Sequence, residues 1–430
     1  MTLLWLPIAL GLAFCILLAG LVWYRVSPRL RSEWRQQRTA ARSIDVIRRE
    51  MELGYQLQMA SYTPALPGPP GPPPFTSGRW SLLAGDGKGW AADTFYKVRG
   101  LALHKGVLHA SLTGPKADGP GGQVWRLSEG VCTQVGGDLA SSWRADDSFV
   151  DHLFSMDDNT LLAAEKTGVW RLSDGQWTHI SQGLALDETC GPYSFATWEG
   201  QVVMGQWGHP RVAQWGTDSQ WAYLPDPEGG WGAGVRTIYC LVAFKGMLYV
   251  GTGTGKLTGP ASAVWRYDGT SWEKVGGAGI RGSWSREGIP FVLSLTVLGE
   301  CLVATISRPD ETPAGASSVW LFDGDRWGPL AAGATPALMA ESLIMNDAVV
   351  YKGRLVVATG HASRKPAQVW MLNDAQCWEP VAPPELLTPS PGEGGWWVYR
   401  LHTDGERLYA STAGHRGAAK VFCFTPAEAR

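Results

Sequence analysis

The sequence of 430 residues lacks the signatures of several protein classes. Its seven cysteines are scattered singly and form no C-x-x-C pair, so neither a zinc cluster nor a dense disulfide framework is expected, and buried thiols explain them better. Its 37 basic and 39 acidic residues nearly balance, so net charge does not favour nucleic acid as a partner. No spacing typical of a metal or cofactor site stands out, and we expect neither.

Charged side chains are also absent from residues 2–24, which are almost entirely apolar. As a helix this segment is about 34 Å long, enough to cross a bilayer. The alternative is a cleaved signal peptide, but that needs a basic segment before a shorter apolar core. Trp23 and Tyr24 lie at the end of the segment, where aromatic side chains meet the membrane interface. The sequence therefore predicts a single transmembrane helix that inserts in the lipid bilayer.

The residues that follow predict the orientation of this helix. Arginines crowd its carboxyl-terminal side and favour the cytoplasm: Arg25, Arg29, Arg31, Arg35 and Arg38. Residues 25–60 have the apolar spacing of an amphipathic juxtamembrane helix, and we expect its arginines to contact anionic headgroups. Residues 61–75 are rich in proline and glycine and predict an extended linker.

Residues 76–430 repeat one phrase: two apolar strands, a variable loop, V-W-x-x, a tight turn and a strand with Trp. The clearest copy covers residues 238–277, and the V-W pairs or their equivalents recur 43 to 55 residues apart. This period is that of a four-stranded propeller blade. Asp-Gly pairs such as Asp174-Gly175 supply the positive φ of a tight hairpin. The repeat predicts an all-β, seven-bladed β-propeller in which the Trp rings pack between blades.

The last copy of the repeat ends without its Trp strand. The missing strand is found at residues 78–85, directly after the linker. We therefore expect this N-terminal strand to complete the last blade and close the ring, which would leave no free sheet edge.

The phrase V-W-R-Y-D-G-T-S-W at residues 264–272 resembles the second half of a kelch repeat. The D-G-x-x-W turns are also similar to the Asp-box of sialidase-like propellers. The resemblance extends over residues 76–430 and implies a β-propeller of this superfamily with degenerate repeats.

In propellers, the blade-to-blade loops and the loops between the second and third strands share one face. Cationic, imidazole and aromatic side chains cluster in these loops and suit an anionic, sugar or peptide ligand. The alternative is that they cap strands and cover the blades. The candidate binding residues are His209, Arg211, Arg236, Trp284, Arg286, His361, Arg364, Trp396, Trp397, His415 and Arg416.

Two functions agree with this pattern. The first is a membrane-held module, more a scaffold than an enzyme, whose loop-rich face binds a protein partner or another ligand. The second is a propeller hydrolase or lyase that acts on a glycan. No catalytic residue can be assigned from spacing alone.

The arginine cluster generates a prediction about topology. A reporter enzyme fused after residue 75 should be active only when the reporter works in the cytoplasm, because the arginines resist translocation. Replacing the five arginines with glutamine should weaken this preference, and deleting residues 2–24 should release the protein from the membrane. Activity of an export-only reporter in the wild-type fusion would contradict the predicted orientation.

Overall fold

The structure is a computed structural model that describes residues 78–90, 94–114, 121–128, 130–139, 141–144, 149–254, 262–284, 291–307, 318–330, 344–360, 367–374, 376–382, 397–414 and 417–426. The chain divides into two compact units, Met1–Ser61 and Tyr62–Arg430, and all the described residues belong to the second. The described part contains strands and turns and no helix, so it has no helix that could cross a membrane. The predicted segments 2–24, 25–60 and 61–75 lie outside it.

Within these ranges the strands form seven antiparallel units of four. The first strands are β2 (Lys97–His104), β6 (Val150–Asp157), β10 (Gly191–Trp198), β14 (Thr237–Phe244), β18 (Phe291–Leu298), β22 (Ile344–Tyr351) and β26 (Trp397–Thr403). The second strands are β3 (Val107–Thr113), β7 (Thr160–Glu165), β11 (Gln201–Trp207), β15 (Met247–Gly253), β19 (Cys301–Ser307), β23 (Arg354–Gly360) and β27 (Leu408–Ala413).

The third strands are β4 (Gln123–Ser128), β8 (Gly168–Ser173), β12 (Val212–Trp215), β16 (Ala263–Tyr267), β20 (Ser318–Phe322), β24 (Val369–Leu372) and β28 (Val421–Pro426). The outer strands are β5 (Val131–Gly136), β9 (Gln176–His179), β13 (Trp221–Tyr223), β17 (Trp272–Gly277), β21 (Trp327–Pro329), β25 (Trp378–Pro380) and β1 (Gly78–Ala84). In the first six units the four strands follow one another along the chain as an antiparallel meander, whereas the outer strand of the last unit, β1, precedes the first unit in the sequence.

The first strands pack side by side around a common axis, and the series closes because β26 contacts both β22 and β2. The closure is reinforced by a bridge between Lys97 of β2 and Ala413 of β27. The strand expected at residues 78–85 spans Gly78–Ala84 and pairs with β28, so that Trp80 lies opposite Phe424. This closed arrangement of four-stranded units around an axis is that of a β-propeller.

The hydrophobic core consists of layers between neighbouring units. One layer joins Val124 of β4 to Leu161 of β7, and another joins Leu112 of β3 to Val421 of β28. The second of these layers lies between the first and the last unit. Because each unit is apolar on both faces, it buries these faces only when a neighbour lies on each side.

Five of the six outer-strand tryptophans link neighbouring units through their indole N–H groups. Each of the five donates to a backbone carbonyl of the preceding unit: Trp177 to Val135 (2.6 Å), Trp221 to Ile180 (2.8 Å), Trp272 to Pro225 (2.6 Å), Trp327 to Val275 (2.8 Å) and Trp80 to Val381 (3.0 Å). The indole that fills the wedge between two units thus also donates a hydrogen bond to a backbone carbonyl of the neighbouring unit.

The Asp-Gly turns behave as their chemistry predicts. Asp174 and Gly175 have φ values of 52° and 77° in the hairpin between β8 and β9. In the turn after β16, a carboxylate oxygen of Asp268 accepts hydrogen bonds from the backbone N–H groups of Thr270 and Ser271, both at 2.7 Å. The aspartate therefore caps the turn, and the glycine accommodates the positive φ that closes it.

The ring closure generates a stability prediction. Trp80 is buried, contacts the Phe424 ring at 5.5 Å between centroids and hydrogen-bonds to Val381 of the preceding unit. Trp80→Ala should lower the free energy of unfolding by about 3–5 kcal/mol, because it removes a large ring and leaves a cavity at the closure. Val131→Ala on β5 is the control, since Val131 is 60% exposed, and it should change stability by less than about 0.5 kcal/mol. Equal denaturation midpoints for the two variants would contradict the closure role.

Candidate functional site

The loop-rich end of the molecule is identified by its strand pairing. The first residue of an inner strand pairs with the last residue of the second strand, as in Thr237 with Gly253 and Phe291 with Ser307. The unit-to-unit connections and the connections between second and third strands therefore leave from the same end. At this end the first strands of the units, called inner strands below, surround the central axis, and we call this position the channel mouth.

All seven described inner strands carry a register shift at the same position, two or three residues after the mouth. The residue inserted at each shift belongs to a group that we call the mouth ring: Arg99, Asp151, Tyr193, Tyr239, Leu293, Asn346 and Tyr399. The next residue in each strand belongs to the chamber ring: Gly100, His152, Ser194, Cys240, Ser294, Asp347 and Arg400. Bulges re-aim side chains and recur beside functional sites, so this repeated irregularity marks the mouth as a place where side-chain direction is controlled.

The chamber ring links one unit to the next. Its side chains bond to the following inner strand: Ser194 Oγ donates to Ile238 O at 3.1 Å, Cys240 Sγ to Val292 O at 3.6 Å and Arg400 Nε to Arg99 O at 3.1 Å. Asp347 Oδ2 accepts from the Leu401 N–H at 3.0 Å. Gly100 is suited to its position because an added Cβ would lie 2.8 Å from Leu153 N. These polar residues therefore hold the inner strands together.

The chamber ring also lines a cavity of about 420 Å³. Below the ring the lining becomes mainly apolar and includes Leu241, Leu295, Val349 and Leu401. His152 lies on the wall with its Nδ1 buried and without a hydrogen-bond partner among the described residues. Burial, with the charge of Arg400, lowers the pKa of His152 to about 3, so this imidazole is neutral at physiological pH.

Positive charge is concentrated at the mouth. The Lys97 amine lies 3.7 Å from the centroid of the Tyr399 ring, and Arg99 lies over the Phe149 ring at 4.6 Å. Arg99 also forms a salt bridge with the buried carboxylate of Asp151. Burial, with the charges of Arg99 and Arg400, lowers the pKa of Lys97 to about 8, although Tyr399 opposes this effect.

Tyr399 is the most perturbed phenol of the mouth ring. Burial acts to raise the pKa of Tyr399, but the positive charges of Lys97, Arg400 and Arg99 and a hydrogen bond with Tyr193 lower it to about 7. Burial and the neighbouring tyrosines raise the pKa of Tyr193 well above its usual range, so Tyr193 keeps its proton and its O–H donates a hydrogen bond to Tyr399. This pair connects the third unit to the seventh across the channel mouth.

The residues predicted from the sequence occupy several different environments. His209 and Arg211 are exposed between β11 and β12, and the Arg211 guanidinium lies 4.8 Å from the centroid of the Tyr223 ring. Arg236 is exposed directly before β14, and Trp397 is half-buried at the start of β26, where it pairs with Gly360 and Ala413. Arg286, His361, Arg364, Trp396, His415 and Arg416 lie outside the described residues.

Trp284 belongs to the packing of the molecule. It is 3% exposed, its indole N–H donates to Ser262 O at 3.3 Å, and its ring contacts Trp320 and Trp327 edge-on. Trp143 and Trp231 make equivalent contacts in their units. The tryptophans of these loops therefore cover the apolar wedge between units.

Sequence reasoning missed the polar groups of the inner strands. A signal for them was present, because Lys97, Arg99, Asp151, Asp347 and Arg400 interrupt segments that otherwise read as apolar strands.

Among the residues that the structure describes, no group of three or more His, Cys, Asp or Glu side chains is placed to hold a metal ion, and no disulfide joins the cysteines.

Comparison with known proteins supports the fold. No family model matches the chain, and no curated protein matches it. Among solved structures it resembles the extracellular domain of a protein from B. thetaiotaomicron described as a hybrid two component system, with a TM-score of 0.55, 11% identity and coverage of 80% of this chain and 39% of that chain. It also resembles virginiamycin B lyase from Staphylococcus aureus, with a TM-score of 0.53, 11% identity and coverage of 81% and 99%.

Both neighbours are β-propeller domains, and at this identity they share only the fold with the present chain. The chain spans about two fifths of the B. thetaiotaomicron domain. The closer affiliation with kelch-like or sialidase-like propellers stays a prediction.

The perturbed phenol generates a spectroscopic prediction. A pH titration that follows tyrosinate absorbance should show one tyrosine ionising near pH 7, because the cations around Tyr399 stabilise its phenolate. Tyr399→Phe should abolish this step. Tyr267→Phe is the control, since burial raises the pKa of Tyr267 and its ionisation lies at higher pH. A wild-type curve without a step below pH 9 would contradict the proposed environment of Tyr399.

Proposed function

We propose that this protein is a membrane-held binding module. In this proposal residues 2–24 cross the bilayer, the arginines after them contact anionic headgroups, and a seven-bladed propeller of residues 76–430 lies in the cytoplasm. Its loop-rich face binds a protein partner. Of the two functions that the sequence predicts, this one needs no catalytic residues, and the described residues supply a closed scaffold with prepared polar contacts at one end.

The observation that carries the proposal is the arrangement of Arg211 on Tyr223. The guanidinium is exposed on the loop-rich end, while the Tyr223 hydroxyl is held by the Gln206 amide at 2.9 Å and by the Ala185 N–H at 2.8 Å. Tyr223 is thus fixed before any partner arrives, and its ring orients the guanidinium. An oriented arginine loses little side-chain entropy on binding and suits a carboxylate-bearing partner surface.

Two sequence features extend this contact into a wider face. Arg364 and Arg416 follow a Gly-His phrase in two further loops, as Arg211 does. The three loops belong to the third, sixth and last repeats, so their arginines would surround the channel mouth from different sides. A partner that covers the mouth would meet all three.

The proposal predicts which substitutions abolish partner binding. The full chain, purified in mild detergent, is compared with the triple variant Arg211→Glu, Arg364→Glu, Arg416→Glu, and the proteins that copurify with each are identified. The triple variant should lose the specific partner, because three cations become anions on the binding face. The matched control is Arg79→Glu, Arg126→Glu, Arg326→Glu, which changes the same charge at exposed outer positions. Equal recovery of the partner by both triple variants would reject the proposed face.

A second candidate function is supported by Tyr399. A phenol that ionises near neutral pH beside Lys97 has the properties of a general base, and a lyase or hydrolase acting on a glycan needs such a group. One structural neighbour is named as a lyase. Cleavage of an acidic polysaccharide by the full chain, lost in Tyr399→Phe and kept in Tyr267→Phe, would favour this candidate over the binding module.

A further inference from the structure

The charges at the channel mouth do not balance within the described residues. Three cations, Lys97, Arg99 and Arg400, face two carboxylates, Asp151 and Asp347. Asp151 is engaged by Arg99, and Asp347 lies near Arg400 while it accepts the backbone N–H groups of Leu401 and Ala348, both at 3.0 Å. One positive charge therefore has no carboxylate partner.

That charge belongs to Lys97. Its amine meets the face and the hydroxyl of Tyr399, and within the part of the chain that the structure describes it forms no salt bridge. The neighbouring Nε of Arg99 is also buried without a hydrogen-bond partner among these residues. An unsatisfied buried donor such as Arg99 Nε is costly in a low-dielectric site unless a ligand completes it.

We propose that the channel mouth is a binding site for a single carboxylate group, held by Lys97 and Arg99 and flanked by the hydroxyl groups of Tyr193 and Tyr399. One negative charge matches the excess of one positive charge. The aromatic neighbours of both cations restrict their movement, since Lys97 lies on the Tyr399 ring and Arg99 on the Phe149 ring. The carboxylate belongs either to a small free acid or to the acidic side chain of a peptide.

The site should release its ligand as pH rises. The groups that act on Lys97 are Arg99 on its own strand and Tyr399 and Arg400 on β26. Asp151 on β6 pairs with Arg99, and Tyr193 on β10 bonds to Tyr399. Above a pH of about 7 Tyr399 becomes a phenolate that competes for the cations, and above about 8 Lys97 loses its own charge. Both changes act in the same direction, so carboxylate affinity is greatest below pH 7 and falls toward pH 9.

Calorimetric titration of the full chain in a nonionic detergent tests this inference. The probes are acetate and an uncharged-ended peptide with one glutamate, each measured at pH 6.5 and pH 9. Wild-type affinity should fall at least about tenfold between these values, since each pH unit above the pKa of Lys97 lowers its charged fraction about tenfold. Lys97→Gln should bind at least about tenfold more weakly at pH 6.5, as expected for the loss of a charge-assisted hydrogen bond.

Two further variants make the result decisive. Lys105→Gln, an exposed lysine in the turn after β2 at the opposite end, is the matched control and should bind as the wild type does. Lys97→Arg keeps its charge at pH 9, so it should bind at pH 6.5 and lose less affinity than the wild type at pH 9. If Lys97→Gln fails to fold, the pH dependence of binding by Lys97→Arg still tests the inference.

The outcomes separate the ligand sources and the two proposals. Binding of acetate supports a free acid as the ligand, and binding of the peptide alone supports an acidic side chain. Binding of neither probe by folded wild-type protein at pH 6.5, or a Lys97→Arg profile identical to that of the wild type, would overturn the inference. Partner binding through Arg211, Arg364 and Arg416 is measured separately, so either proposal can fail while the other stands.

Discussion

The structure depends on the burial of two apolar faces per four-stranded unit. A single unit cannot hide both faces, and a linear stack would leave one exposed at each end. Closure removes this cost when β1 pairs with β28 and the first and last units share a hydrophobic layer around Leu112 and Val421. Five outer-strand indoles add a directional bond to this packing, because each of these rings inserts beside the preceding unit and donates to its backbone. The contacts that close the ring are therefore also contacts that stabilise the fold.

The axial channel is a consequence of that closure. The inner strands meet around the central axis and enclose the cavity. Polar chamber-ring residues occupy this space and bond to the next strand, as Ser194 does with Ile238 and Arg400 with Arg99. The bulge above them turns another set of side chains toward the mouth. The residues that hold the strands together and those of the proposed carboxylate site thus occupy adjacent positions in each strand.

Much of the fold was predictable because its determinants are local and repeated. Alternating apolar residues, Asp-Gly turns and a Trp on six of the seven fourth strands recur within short windows, so strands such as β16 and β17 lie where the sequence predicts them. The closing strand was also recognisable, since the last repeat lacked its Trp strand and residues 78–85 supplied one. The candidate site was less predictable. Polar and aromatic loop residues were predicted to bind a ligand, yet Trp284 is buried and packs between units. The charged residues of the inner strands were not recognised, because they lie within segments that are otherwise apolar.

The sequence by itself determined the class of structure: an all-β repeat whose units must associate through apolar faces. It did so because strand and turn chemistry acts over a few residues and is repeated along the chain. Only the tertiary structure decided that Lys97 and Tyr399, from nearly opposite ends of the repeat region, meet at the channel mouth. It also decided that Tyr193, which lies in yet another unit, forms a hydrogen bond with Tyr399. Such contacts follow from the curvature and closure of the whole ring, and no local pattern records them.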